Sequence, residues 1–428
     1  MNARGETLCR EHGCIYIFIY GHDAQENTRE PFTFSIPVDI KSYPLSAMHI
    51  NGASGSEQAS SGGHNNNQSE RSKCRHIFLF SVSRTLSNVF CRLLSAQPGW
   101  VQSDYHLQEG FFHARDKFDW APLDEISDEL RQKYIELTHK GVGILQKARE
   151  DAIKEVHMLI YLKSKVDGRT SYDTNDQQQD KHLLVKNHSF FAVEPSALLD
   201  EAQRGKEVPP LTIVPRPVAS EAESGISATP ARTKTNLTFF PDEYLLLWQP
   251  VFMIRHPALI VESWYRAETR VVPINVKDKV WSYLTFWYSR SLYDWYVTRA
   301  TESDGTKTAA EVKSASSPWP IVVDADDVLS GECLAKLCSA CGMSAEHIKF
   351  EWEELPLEAQ DVSKRHMSYM CDLWTSTGLN QSKSSKGLDM EVRYGKWKEE
   401  FGGSVAEGLY EHVQKLMPDY EYLKRRKI

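Results

Sequence analysis

A chain of 428 residues, 41% hydrophobic and 25% charged, has the make-up of a soluble globular protein. It is long enough for one large domain with extensions, or for two domains. A net charge of −8 argues against a general nucleic-acid binder, and no apolar run approaches the roughly 20 residues that span a bilayer. The apolar run at 14–20 is too short and too poorly flanked for a signal peptide. Eight cysteines in so long a chain do not make a disulfide scaffold, so a reducing, cytoplasmic setting is expected.

Residues 1–72 read as a disordered extension, because 51–73 is dense in Ser, Gly, Asn and His and cannot bury enough surface to offset its ordering entropy. The stretch at 75–94 organises the remainder of the chain. Ile77 to Phe80 form an apolar run, a polar turn comes next, and Val89, Phe90, Leu93 and Leu94 recur at helical spacing, which predicts strand, loop and helix. The turn places Ser83, Arg84, Thr85, Ser87 and Asn88 at a helix start, where unpaired N–H groups favour an anion. The same hydroxyl residues are also ordinary helix caps. No Gly-x-x-x-x-Gly-Lys-Ser/Thr signature is present, so the loop is not that of an ATPase or GTPase.

Residues 98–120 read as irregular and aromatic, with Phe111, Phe112, Phe118 and Trp120 either lining a pocket or covering the core. Residues 123–156 carry a helical pattern that Gly141 and Gly143 are expected to interrupt. Polar insertions are expected near 164–181, 203–236 and 301–317. Between the first two, Leu183 to Val185 form a second buried strand that delivers Lys186 and His188 to its C-terminal end, the ligand-binding end of an open parallel sheet. A helix at 244–248 precedes a third strand at 251–254. Arg255 and His256 close that strand, Pro257 stops it, and a helix begins at Ala258. Arg255 and Ser263 lie eight residues apart, so guanidinium and hydroxyl could converge on one phosphate; the alternative is that Arg255 pairs with Glu262. The aromatic helix at 278–300 spaces Trp281, Tyr288 and Trp295 by seven residues, as a core stripe first and an acceptor wall second.

A fourth strand within 319–329 ends in Asp324, Asp326 and Asp327, which suit helix capping or a magnesium ion. Cys338 and Cys341 read as buried helix thiols rather than zinc ligands, and no metal is called for. Arg393, Lys396 and Lys398 surround Gly395 and Trp397 as a basic lid or a helix start. A last helix is expected at 405–416, followed by a basic tail. The resulting fold class is α/β: a three-layer, P-loop-type domain over 73–428, with a central, mostly parallel sheet flanked by helices.

These segments resemble the sulfotransferases that use 3′-phosphoadenylyl sulfate (PAPS), in particular a divergent fungal-type branch with an FLFSxxRTxSN run early and IRHP later. The 5′-phosphosulfate loop of the family is matched by Ser83 to Asn88, with Arg84 where Lys is usual and Leu86 where Gly is usual. The 3′-phosphate motif is matched by Arg255, Pro257 and Ser263. A Lys-x-His at a strand end is matched by Lys186 and His188, and a C-terminal Gly-x-Trp-Lys by Gly395, Trp397 and Lys398, with Arg393 in place of a preceding Arg. Val89 stands where an adenine-stacking Trp is common. The resemblance implies PAPS as cofactor and transfer of a sulfuryl group to a hydroxyl of a small-molecule acceptor, with secondary metabolites among the candidates. Arg84 would neutralise charge on the leaving phosphate, Lys186 would act near the bridging oxygen, and His188 would take the acceptor's proton, given an ordinary His pKa near 6.5. Ser83, Thr85, Ser87, Asn88, Arg255, Ser263, Arg393 and Lys398 would bind the nucleotide. No nucleic acid or membrane partner is implied. The alternatives are a non-catalytic nucleotide-binding or scaffold protein that keeps the fold, and a divergent P-loop kinase.

Overall fold

Strands buried on both faces read as continuous apolar runs rather than as alternating ones, and the chain supplies four of them, at 77–80, 183–185, 251–254 and 321–323. The structure, a computed structural model, describes residues 17–20, 31–34, 76–118, 127–166, 182–193, 232–274, 284–303, 319–360 and 362–428. In chain order come strands β1 (Ile17–Tyr20) and β2 (Pro31–Phe34), then β3 (His76–Ser81), helix α1 (Ser87–Leu93), β4 (Trp100–Asp104), α2 (Gln108–Phe118), α3 (Asp128–Val166) and β5 (His182–His188). The second half adds α4 (Asp242–Leu246), β6 (Trp248–Ile254), α5 (Pro257–Thr269), α6 (Trp287–Ser303), β7 (Ile321–Asp324), α7 (Ala325–Ser330) and α8 (Leu334–Cys341). It closes with α9 (Lys364–Trp374), α10 (Met390–Phe401) and α11 (Gly403–Lys424).

Strands β1 and β2 pair antiparallel in a sheet of their own. The main sheet has five strands in the order β4-β5-β3-β6-β7, every pair parallel. Successive β3 side chains point to opposite faces. Phe78 and Phe80 join a core with α2, α3, α5, α6 and α11, while Ile77 and Leu79 join a second core with α1, α7 and α8. Helices therefore cover both faces, and the three-layer α/β expectation holds. Among the described residues no helix is long and apolar enough to cross a membrane.

Several elements differ from the sequence reading. Residues 100–104 form an edge strand, missed because Trp100 and Val101 are its only apolar residues and Val101 is itself exposed. Residues 108–118 are helical rather than irregular. Strand β6 begins at Trp248, which the sequence assigned to the preceding helix. The last helix runs on to Lys424 with Pro418 inside it, so most of the supposed tail is helical. Asn236, read as the end of an insertion, is buried and donates to the Phe240 carbonyl and the Asp242 carboxylate. Residues 164–166 and 301–303, read as the starts of insertions, are instead the last residues of α3 and α6; 167–181, 203–231 and 304–317, and Trp120 and Trp281, lie outside the described residues.

Helix α3 runs unbroken through both glycines, and the two differ in what they allow. A Cβ at Gly141 would collide with the His106 carbonyl oxygen, whereas one at Gly143 meets nothing within 4 Å. Gly141 lets the helix pass against the turn after β4; Gly143 only adds unfolded-state entropy. Gly141→Ala should therefore destabilise the fold by about 1–3 kcal/mol through overpacking against backbone. Gly143→Ala should stabilise it by about 0.5–1 kcal/mol. Chemical denaturation of the two variants checks the opposite signs.

Candidate functional site

From β3 the chain moves outward to β4, returns to β5, and then crosses β3 to reach β6. The direction of winding thus reverses around β3, and in open α/β sheets ligands bind there, beyond the strand C-termini. Ser81 is in register with His188 on one side and Met253 on the other. The loop after β3, the end of β5 and the first residues after β6 consequently emerge together at one edge of the sheet.

The loop after β3 is strained. Among the described residues, the non-glycine positions with positive φ are Arg84 (67°), Leu86 (68°) and Tyr105 (55°), and each such residue carries a penalty of roughly 1–2 kcal/mol. Leu86 sits where a glycine would be at ease. Strain of this kind persists where surroundings over-determine it, and here they do. The Thr85 hydroxyl donates to the Val82 carbonyl (2.8 Å), and Phe90 N–H donates to the Leu86 carbonyl. Leu86 is the N-cap of α1 and supplies no capping side chain.

Arg84 carries the loop onto the rest of the site. Its Nε donates to Ser263 Oγ (2.8 Å) and its Nη1 to the Tyr369 carbonyl (2.8 Å). Arg255, only 5% exposed, donates from Nη1 to the Arg84 carbonyl (2.9 Å) and from Nη2 to the Lys383 carbonyl (2.8 Å). Its Nε is buried with no hydrogen-bond partner. The pairing with Glu262 that the sequence left open is not made: Glu262 instead accepts from Arg266, Arg393 and Trp397. Burial first, and then the neighbouring Arg84 charge, push the Arg255 pKa down to about 10. Burial lowers that of Arg84 as well. Two guanidiniums thus share a buried corner with carbonyl oxygens around them, and carbonyls satisfy hydrogen bonds without cancelling charge. Such a corner attracts an anion.

Lys186 is treated differently. It is 2% exposed, and its Nζ forms an ion pair with Asp104 (3.0 Å). It also donates to Asn88 Oδ1 and lies 4.1 Å from the centre of the Tyr105 ring. Burial opposes its charge, but Tyr105 and Asp104 outweigh burial and hold its pKa above the ordinary lysine value. His188 sits beside it, with Nδ1 3.0 Å from Ser81 Oγ and its ring against Tyr105, Phe190 and Phe191. The expectation of a near-ordinary His188 is overturned: burial, and then the Lys186 charge, push it down to about 3. The imidazole is neutral at physiological pH and a weaker base than a solvated histidine. In the tautomer whose Nδ1–H is donated to Ser81, the basic nitrogen is Nε2.

The remaining sequence candidates divide. Ser83 and Ser87 are buried in the loop and make no side-chain hydrogen bond among the described residues, so their hydroxyls are available to a ligand. The Thr85 hydroxyl is committed to Val82, and the Asn88 amide contacts Met370 as well as Lys186. Arg393 reaches the site but pairs with Glu262 (2.6 Å). Lys398 is not brought to it: it lies on an exposed part of α10 with its Nζ over Tyr394. Phe111 and Phe112 pack on Phe191 next to His188, whereas Tyr288, Trp295 and Tyr296 are core. The three acids after β7 part company. Asp324 caps α7, Asp326 accepts from Ser384 and Ser385, and Asp327 pairs with Lys427. Cys333 and Cys338 are buried free thiols, and Cys341 is buried beside them in the same core. Among the described residues no group of three His, Cys, Asp or Glu could hold a metal.

Sequence reasoning missed Asp104, Tyr105, Tyr369 and Lys383. The last two act through backbone carbonyls, which leave no trace in residue type. Asp104 and Tyr105 end a polar edge strand whose pattern is too weak to announce itself.

Two proteins called Sulfotransferase ppzF are similar to this chain. That of Metarhizium rileyi (strain RCEF 4871) is 28% identical over 359 residues, which is 82% of this chain and 95% of the relative. That of Metarhizium majus (strain ARSEF 297) is 29% identical over 363 residues, 83% and 96% respectively. No family model matches the chain, and no solved structure matches it. The two alignments support the resemblance to a fungal sulfotransferase-like family and extend it over most of the chain.

Burial depresses six histidines: His188 to about 3, His76, His106, His366 and His412 each to about 4, and His256 below its ordinary value. Below their ordinary value near 6.5, the unfolded chain binds protons that the folded chain refuses. Stability from these groups is thus complete above about pH 6.5 and is lost as pH falls toward 4. The melting temperature should drop between pH 7 and pH 5 and stay level between pH 7 and pH 8. Equal melting temperatures at pH 7 and pH 5 would contradict the burial of these rings.

Proposed function

We propose that this chain is a PAPS-dependent sulfotransferase acting on a hydroxyl of a small molecule. The observation that carries the reading is the closure of two distant segments on each other: Arg84 Nε donates to Ser263 Oγ, and Arg255 donates to the Arg84 carbonyl. The residues fit a bisphosphorylated nucleotide at its phosphates. Arg255, with its orphaned Nε, and Ser263 would hold the 3′-phosphate. Arg84, the Ser83 and Ser87 hydroxyls and Lys186 would face the 5′-phosphosulfate. The residues that would hold adenine are not assigned.

When bound, the donor would supply the sulfuryl group, its bond from sulfur to the bridging oxygen giving way to a bond from the acceptor oxygen, with the electron pair left on the departing phosphate. Arg84 and Lys186 are fixed donors that stabilise that charge without reorganising. His188 Nε2 takes the proton of the acceptor hydroxyl. Its depressed pKa ensures the unprotonated form and limits its driving force. Phe111, Phe112 and Phe191 form an apolar wall beside His188 against which an acceptor would rest. A second reading, a nucleotide-binding protein without turnover, draws on the same site: Lys186 is already neutralised by Asp104 and His188 is a weak base.

Calorimetry separates the readings. The native protein should bind adenosine 3′,5′-bisphosphate, and Arg255→Ala should weaken binding by about 100-fold, the size of a charge-assisted hydrogen bond lost to a buried anion. Absence of binding by the native protein rejects the proposal. With PAPS and a panel of phenols and alcohols, His188→Ala should lower kcat by about 10²–10⁴-fold with donor binding little changed. Binding without turnover of any acceptor favours the second reading.

A further inference from the structure

Asp104 has no part in the sulfuryl transfer itself, yet it is the carboxylate in contact with the buried ammonium. Its setting is lopsided. Lys186 is immobilised: 2% of its side chain is exposed, Asn88 Oδ1 accepts from it, and the Tyr105 ring covers it. Asp104 is 31% exposed, ends an edge strand, and holds Lys186 as its side-chain partner. Next to it, Tyr105 adopts φ 55° while its N–H donates to the Lys186 carbonyl (2.9 Å). The backbone is thus bent into an unfavourable conformation at the point that brings carboxylate and ring onto the ammonium. A buried ammonium with no counter-charge is costly. Before any ligand arrives, Asp104 provides it.

We propose that Asp104 is a placeholder for the anionic 5′ end of the donor. Its carboxylate occupies the place at Lys186 that the phosphosulfate oxygens take, and it swings toward solvent when they arrive. Lys186 stays put and exchanges one anion for another. Asp104 thereby keeps the ammonium charged and stray anions out of the empty site, and it lowers donor affinity by competing for Lys186. It is a positioning residue, since it acts through Lys186 and touches no reacting atom. The inference rests on the reading of the site as one for a sulfuryl donor.

The test compares PAPS with adenosine 3′-monophosphate, which carries the 3′-phosphate and lacks the 5′ end, by calorimetry without acceptor. In Asp104→Asn, PAPS should bind about tenfold more tightly, as expected for removing one competing charge at short range, and the monophosphate should be unaffected. Lys186→Met should weaken PAPS binding. Unchanged or weakened PAPS binding in Asp104→Asn, or an equal shift for both nucleotides, overturns the placeholder while leaving the proposed function standing. A native protein that binds neither nucleotide removes both. The native protein offers an independent check should the variant fold poorly: carbodiimide-driven amine labelling of Asp104, read by mass spectrometry, should rise on adding PAPS and stay constant on adding the monophosphate. Labelling that stays level or falls with PAPS overturns the inference.

Discussion

The site depends on one charged contact across 179 residues of sequence, the Arg84 guanidinium donating to the Ser263 hydroxyl. Around it the chain is closed a second time, by Arg255 reaching back to the Arg84 carbonyl. The first bond uses the side chain of Arg84 and the second uses its backbone, so the residue is fixed at both ends. That double hold lets a non-glycine residue remain at a positive φ. It also ties helix α9 to the loop through the Tyr369 carbonyl.

The buried cations are handled in two ways, and the contrast gives the site its direction. Arg84 and Arg255 are surrounded by carbonyl and hydroxyl oxygens, and both pKa values fall. Lys186 is given a carboxylate and an aromatic ring, and its pKa rises. One end of the corner therefore holds two cations hydrogen-bonded to neutral oxygens, with Asp326, Glu262 and Asp372 acting on them without a direct bond, while the other is neutralised by a group exposed enough to move. A protein with a net charge of −8 can in this way concentrate an attractive field for an anion in a small volume. His188, wedged among aromatic rings beside Lys186, loses basicity to the same desolvation.

Much of this was legible in order of appearance. Apolar runs at 77–80 and 251–254 marked strands because parallel strands buried on both faces need little else. Arg255, Pro257 and Ser263 were legible because strand end, helix start and turn spacing are local. Asp104 and Tyr105 were not, since an edge strand with one exposed face has no compulsory pattern. The behaviour of His188 was not legible either: a residue type carries an ordinary pKa, whereas the actual one is set by what packs around it.

The amino-acid sequence alone determined the period of each element, the ends of the strands, and which residues arrive at those ends, because these are consequences of backbone sterics and of burial of neighbouring side chains. Tertiary structure alone decided that Glu262 would bind Arg393 and Trp397 and leave Arg255 to carbonyls, that Lys398 would face away, and that a carboxylate from an overlooked edge strand would meet Lys186. Partner choice among charges is decided by which groups packing brings within a few ångströms once water is excluded. Spacing along the chain does not encode that distance.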